Sequence, residues 1–378
     1  MSKKSRLFLL VSGLVLLAVI SVGCKKKNPA RIPPPAGEVK GDLRVMLATP
    51  QGPTKSAREA EEIVLIFDHP MAALEPLPLD ESTSFLKFDP PFDGTYRWMG
   101  TKALAFAPKA RFPFATDIKV TVPAGTRSMD GYVLKSDYSW SFTTLRPALV
   151  RHEPMNGVQQ MRLDTTVFLA FNQPMSDASA RDFISLAGRG PGAEETPLPY
   201  ALSRPSDEAL KDAGISQPPA NVLLLKPSEA LKPAFEYAVE VKAGLKGKEG
   251  GLGMDKAAEF TFQTFKKFAF EKIDDPVDHD PNESLSLKFT NNVVTKDLIP
   301  KLRFEPPVEV PDWYADWDNA GQTISLDLPL KAETKYTVTI AGALKDEFGN
   351  VLGPDVRAEF TTSAYAPSVR MTTGHGVL

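Results

Sequence analysis

The sequence predicts an all-β chain built as three β-sandwich domains in series, and three observations carry that prediction. A short phrase, Phe67-Asp68-His69-Pro70-Met71, returns as Phe171-Asn172-Gln173-Pro174-Met175 and, degraded, as Phe289-Thr290-Asn291-Asn292-Val293, at the spacing of one small domain. After each copy the same order recurs: alternating strand, alternating strand, glycine turn, closing strand. Finally, 34 prolines and 25 glycines among 378 residues point to many turns and short elements, while 42% hydrophobic residues suffice to bury several cores.

At the amino terminus, Lys3, Lys4 and Arg6 precede an uncharged apolar run over residues 7–22, and Ser21-Val22-Gly23 lead into Cys24. This is the layout of a secretory signal over residues 1–23, ending at a small residue before a cysteine. A membrane-spanning anchor is the alternative, but it needs about 20 apolar residues and the run is short for that. Cys24 is the single cysteine of the chain, which excludes intramolecular disulfides and any Cys-based zinc site. Residues 24–41 form a Pro-rich linker: Lys25-Lys26-Lys27 suits anionic headgroups, and Pro33-Pro34-Pro35 stiffens the spacer. This start resembles a bacterial lipoprotein signal, although Ser21 stands where that family prefers Leu. The resemblance implies a diacylglycerol on the Cys24 thiol and a lipid-anchored chain in the bacterial cell envelope, periplasmic or at the outer-membrane face. Lys25, in place of the Asp of inner-membrane retention signals, favours the outer membrane.

The first domain is read over residues 42–146. Ile63 to Phe67 is an apolar, β-favouring run that Pro70 stops, because proline has no N–H for the ladder. Leu104 to Pro108 and Ile118 to Val122 alternate with period two, a turn holds Asp130-Gly131, and Trp140-Ser141-Phe142-Thr143-Thr144 closes the domain. The second domain, residues 147–265, repeats the order with Leu223 to Pro227, Tyr237 to Val241, a turn at Gly250-Gly251-Leu252-Gly253 and Phe260-Thr261-Phe262-Gln263-Thr264. The third, residues 266–364, has Ile324 to Pro329, Tyr336 to Ile340, Gly349-Asn350 and Phe360-Thr361-Thr362. Phe142, Phe262 and Phe360 are expected in the cores, and Gly131, Gly251 and Gly349 at turns that need positive φ. Residues 365–378, from Tyr365-Ala366-Pro367, read as the start of a further, truncated segment.

These phrases resemble the immunoglobulin-like domains of bacterial surface and S-layer proteins, with a fibronectin type III flavour around Leu231 to Val239. The resemblance implies three immunoglobulin-like sandwiches and a corner tyrosine bonded to backbone, assigned to Tyr237 and Tyr336. Ile118 holds that place in the first domain, where no such bond can form.

Three features set the copies apart. The second domain carries an insertion at 188–220, a Pro- and Gly-rich loop with a helical turn capped by Ser206 and stopped by Gly214, a place for a partner to bind or a flexible excursion. Asp274, Asp275, Asp278 and Asp280 cluster between the second and third domains, where they form either a solvated acidic hinge or a Ca²⁺ site, since Ca²⁺ takes several oxygen ligands. Trp313-Tyr314-Ala315-Asp316-Trp317 reads as packed edge-strand residues or as a stacking surface for a sugar or peptide.

Nothing in the sequence carries catalysis. His69, His152, His279 and His375 stand far apart and outside any hydrolase or metal motif. A net charge of −3 gives no basic face for nucleic acid. No cofactor is expected, and the partner-binding residues are left unassigned. A lipoprotein signal followed by serial immunoglobulin-like domains resembles the amino-terminal part of a bacterial α2-macroglobulin. That resemblance implies a non-catalytic, membrane-tethered arm of an endopeptidase-inhibitor system, with proteases or the peptidoglycan-synthesis machinery as protein partners. The Cys-x-Glu-Gln thioester of that family is absent, and Cys24, followed by Lys25, cannot supply it. The alternative is a free-standing surface adhesion or protein-binding spacer.

Overall fold

The structure, a computed structural model, describes residues 39–73 and 86–365. Cys24, the signal, most of the linker and the segment after Tyr365 lie outside the described residues, and with them His375.

Three apolar cores follow one another along the chain. One gathers Leu43 to Phe142, the next Val167 to Phe262 and the last Phe268 to Phe360, each between two sheets. In the first domain one sheet runs Val45–Thr49, Ile63–Phe67, Ala103–Pro108, Gly94–Met99, and the other Gly52–Pro53, Tyr138–Thr143, Asp117–Val122, Lys87–Asp89. Ile63, Leu65 and Phe67 are fully buried on one face of their strand, as the period of two demands. The second domain repeats this plan: Leu149–Glu153, Val167–Phe171, Val222–Pro227 and Tyr200–Ser203 form the first sheet, and Val158–Met161, Ala258–Thr264, Glu236–Val241 and Ile184–Arg189 the second, extended by Thr196–Pro197. Phe142, Phe262 and Phe360 are each 1% exposed, in the three cores.

The recurring phrase is a clamp as well as a turn. Its second residue accepts the N–H of the residue just before the domain's first strand in every copy: Arg44 to Asp68 Oδ1 at 2.9 Å, Ala148 to Asn172 Oδ1 at 3.0 Å, Ala269 to Thr290 Oγ1 at 2.8 Å. The third residue turns toward the glycine-turn loop. His69 Nδ1 lies 2.9 Å from Asp130 and Asn291 donates to Asp346 at 2.7 Å, while Gln173 packs under Gly247. Three chemistries thus serve one position, so the phrase is held by geometry and tolerates changes of residue type.

The threonine that ends each closing phrase is a second repeated device. Thr144, Thr264 and Thr362 are buried, and their hydroxyls donate to Pro113, Lys232 and Lys331 carbonyls at 2.7, 2.6 and 2.5 Å. Each also accepts a backbone N–H, from Thr116, Phe235 or Thr334. The corner tyrosines stand where expected: Tyr237 Oη accepts Lys232 N–H at 2.7 Å, and Tyr336 Oη accepts Lys331 N–H at 2.9 Å.

Several expectations need correction. The third copy of the phrase does not end its strand, which runs from Leu285–Val294 straight through it. Asn292 stands where the other copies have proline, so the ladder is not stripped of an N–H there. The 188–220 insertion is not a loose excursion. Its chain pairs Thr196–Pro197 and Tyr200–Ser203 into opposite sheets, and a helix over Asp207–Asp212 buries Leu210. Ser206 Oγ does accept Ala209 N–H, and Gly214 follows at φ +63°. In the second domain's turn the positive φ falls on Gly250, at +67°, and not on Gly251.

The third domain lacks a strand. Its first sheet is Phe270–Ile273, Leu285–Val294, Ala320–Leu326, and among the described residues there is no counterpart of Gly94–Met99 or Tyr200–Ser203 beyond the last. The chain that would supply it holds Pro306, Pro307 and Pro311, which cannot donate to a ladder, and it coils into a 3-10 helix over Asp312–Asp316.

Candidate functional site: the interdomain joints

The residue just before the turn glycine is Asp130 in the first domain, Glu249 in the second and Phe348 in the third. It sits at the tip of the loop, and in the second and third domains it reaches the preceding domain.

At the first joint the carboxylate of Glu249 meets the Arg111 guanidinium through a two-pronged contact, Nη1 to Oε2 at 2.8 Å and Nη2 to Oε1 at 2.5 Å. Phe114 N–H donates to the same carboxylate at 3.2 Å. The Arg111 hydrogen bond is the main reason the Glu249 carboxyl is held below its ordinary range, and the same bond raises Arg111. Arg111 also lies 4.2 Å over the ring of Phe114. Behind this pair, Gly251 and Leu252 N–H groups both donate to Ala115 C=O, at 3.1 and 3.0 Å. Such an approach needs glycine at 250, where a Cβ would stand 2.1 Å from the Phe114 carbonyl oxygen. Arg146 completes the joint, donating to Gly253 C=O at 2.8 Å and to Asp255 at 3.0 Å.

At the second joint the tip residue is aromatic. Phe348 stacks on Phe265, centroids 4.4 Å apart and planes 20° from parallel. Asn291 Nδ2 donates to Lys266 C=O at 2.7 Å, Lys266 N–H donates back to Asn291 Oδ1 at 3.2 Å, and Gln160 donates to Thr290 C=O at 3.1 Å. Beside these contacts lies a polar cleft of about 180 Å³ lined by Gln159, Gln160, Gln263, Lys266, Lys288 and Gln322, among others. In the first domain the tip residue stays at home. Asp130 is held low mainly by the Ser128 hydroxyl and then by His69, whose ring stacks on Tyr132 at 3.5 Å.

The four aspartates of the expected Ca²⁺ site or hinge do not converge. Asp274 pairs with Lys272 at 2.6 Å, Asp280 caps its own turn by accepting Asn282 N–H, and Asp275 and Asp278 adopt positive φ. Among the described residues no group of three or more His, Cys, Asp or Glu side chains is placed to hold a metal. Nor does this segment lie at the joint with the second domain. It runs along the closing strand of the third, where His279 bridges Thr362 and Asp278 N–H donates to Thr361, because the chain turns back after Phe270–Ile273. The described histidines are packed one by one: His152 stacks on Phe260 at 3.7 Å and is bonded to Pro154 C=O, and His279 is buried against Phe360. The Trp313 to Trp317 segment is helical and not strand. Tyr314 is buried there, while Trp313 and Trp317 are 56% and 41% exposed.

The joints were missed in the sequence because their residues are ordinary surface types far apart in the chain. The one local signal is the changing residue before a constant turn glycine, which is visible only when the turn is set at Gly250 and not at Gly251.

A family model described as bacterial Ig-like domain matches residues 40–144, 145–264 and 274–362. The chain is also similar to an alpha-2-macroglobulin homolog of Nostoc sp., 23% identical over 338 residues, which cover 84% of this chain and 18% of that protein. This chain therefore spans less than a fifth of that relative. A crystal structure of part of native alpha-2-macroglobulin from Escherichia coli shares 10% identity, covering 84% of this chain and 96% of that one at a TM-score of 0.23. The amino-terminal part of the bacterial S-layer protein SbsC shares 13%, covering 58% and 44% at a TM-score of 0.22. With three matches that between them take in most of its length, the chain belongs to the bacterial Ig-like domain family, as three such domains in tandem.

Proposed function

We propose that this chain is a lipid-anchored, non-catalytic arm of a bacterial α2-macroglobulin-like protease-inhibitor system, tethered to the cell envelope at Cys24. The observation that carries the reading is the similarity to the Nostoc protein, which takes in 84% of the chain. The joints support it: glycine-tipped loops, an ion pair and stacked rings fix successive domains against each other, which suits a spacer that holds other domains at a set distance. The 378 residues contain no Cys-x-Glu-Gln, so covalent capture belongs to domains other than these. The lipid at Cys24 is expected to combine with the basic Lys25-Lys26-Lys27 for stable anchoring, since one acyl chain alone binds membranes marginally.

The test is made in the source bacterium. Deletion of the gene is expected to raise the sensitivity of envelope proteins to an added secreted protease, wild-type chain to restore protection, and Cys24→Ser to leave the chain folded but released from the membrane fraction. Unchanged protease sensitivity in the deletion strain overturns the inhibitor reading, and an unmodified Cys24 by mass spectrometry overturns the tether.

A further inference from the structure

The third domain is short of one strand, and what that leaves exposed is specific. In the first domain Gly94–Met99 pairs antiparallel with Ala103–Pro108, and in the second Tyr200–Ser203 pairs antiparallel with Val222–Pro227. Among the described residues the corresponding strand of the third domain, Ala320–Leu326, pairs only with Leu285–Val294. In a strand paired on one side, alternate N–H and C=O groups point outward and are a template for another strand. Among the described residues no backbone group lies in a hydrogen bond to residues 321–326 from that side, and Tyr314 Oη caps only the next N–H, that of Asp327, at 2.7 Å. The strand is seven residues long, Ala-Gly-Gln-Thr-Ile-Ser-Leu, and holds neither a charge nor a proline to discourage pairing.

The surroundings name the chemistry of what would fit. From residue 304 to residue 330 there is no Lys or Arg, whereas Glu305, Glu309, Asp312, Asp316, Asp318 and Asp327 are all present and exposed. Among the described residues Asp318 forms an ion pair, with Lys296, which also feels Asp316, and the other carboxylates form none. The 3-10 helix that replaces the missing strand and the residue after it present the indoles of Trp313 and Trp317 to solvent. Exposed tryptophan faces attract Lys and Arg side chains, and tryptophan is among the residues that dominate binding energy where it is left at a surface.

We propose that the open edge of Ala320–Leu326 is a docking site for an extended, basic segment of a partner protein, which adds as the missing antiparallel strand while its Lys or Arg side chains meet the carboxylates and the two indoles. This is strand addition, in which main-chain bonds supply affinity and flanking side chains supply selectivity. It stands on the sheet topology of the third domain and does not depend on the protease-inhibitor reading.

The experiment uses the full chain and three blocked ten-residue probes: alternating Lys and Val, alternating Glu and Val, and the Lys and Val peptide with every backbone nitrogen methylated. Hydrogen exchange is followed by mass spectrometry. The Lys and Val peptide is expected to slow exchange in residues 320–326 and to leave 94–99 unchanged. The methylated peptide is expected to give no protection, because none of its backbone nitrogens can donate to the edge, and the Glu and Val peptide to bind at least about 10-fold more weakly. Trp313→Ala, at the more exposed of the two indoles, is expected to weaken the Lys and Val peptide several-fold while exchange in the buried strand Leu285–Val294 stays as slow as in the wild type. Equal protection by the methylated peptide, or none by any probe at millimolar concentration, overturns the proposal. So does protection of 320–326 in the free chain that grows with its concentration, since the edge is then taken by a second copy.

Discussion

Arg111 of the first domain and Glu249 of the second join their domains through two N–H···O contacts of 2.8 and 2.5 Å, at the tip of a loop that only glycine allows to come so close. Fork-on-carboxylate geometry is the strongest form of surface ion pair, but Arg111 is 53% and Glu249 33% exposed, so water screens much of the gain. A double-mutant cycle on Arg111→Ala and Glu249→Ala, read from chemical unfolding, should therefore give a coupling of only about 1 kcal/mol.

The same pair should make the joint sensitive to acid. The folded carboxyl of Glu249 is held low by Arg111, so its contribution is fully present above the ordinary carboxylate value of about 4.3 and is lost as pH falls through the lower folded value. Small-angle scattering should show the wild-type chain keeping its neutral-pH dimensions down to about pH 4.3 and extending below it. Glu249→Gln should be loosened already at neutral pH and change little on acidification.

Neighbouring glycines should separate cleanly. Gly250→Ala forces a Cβ to within 2.1 Å of the Phe114 carbonyl oxygen at a φ of +67°, whereas a Cβ on Gly251 meets nothing within 4 Å. The first substitution is expected to cost at least about 1 kcal/mol and to open the joint to limited proteolysis. The second is expected to stay within about 0.5 kcal/mol of wild type.

Tyr237→Phe and Tyr336→Phe each remove the acceptor of one backbone N–H, at Lys232 and Lys331, next to a buried ring. Each should destabilise its own domain by about 1 to 3 kcal/mol, seen by calorimetry as a shift of one transition. The first domain has Ile118 in that place and should be indifferent to both changes.

Phe348→Ala should uncouple the second and third domains. The stack with Phe265 contributes about 0.5 to 1.5 kcal/mol beyond simple burial. Its loss is expected to separate the two calorimetric transitions while each domain keeps its fold.

The sequence by itself determined the fold class and the repeat. Period-two strands such as Ile118 to Val122, proline stops at Pro70 and Pro174, and buried phenylalanines at 142, 262 and 360 act over a few residues, where side-chain alternation and the missing proline N–H dictate the outcome. The corner roles of Tyr237 and Tyr336 came with the resemblance to immunoglobulin-like domains, and the structure supplies their partners, five residues away at Lys232 and Lys331. The joints were decided by tertiary structure alone. Arg111 and Glu249 stand 138 residues apart, and nothing local marks either as more than a surface charge. The acidic segment at 274–283 was misplaced in the chain reading because strand reversal after Ile273 carries it to the opposite end of its domain. Likewise, the prolines at 306, 307 and 311 were visible, but that they leave a sheet one strand short is a fact about pairing partners. Hydrogen-bond ladders close between distant segments, and only the folded chain shows which edge is left without a neighbour.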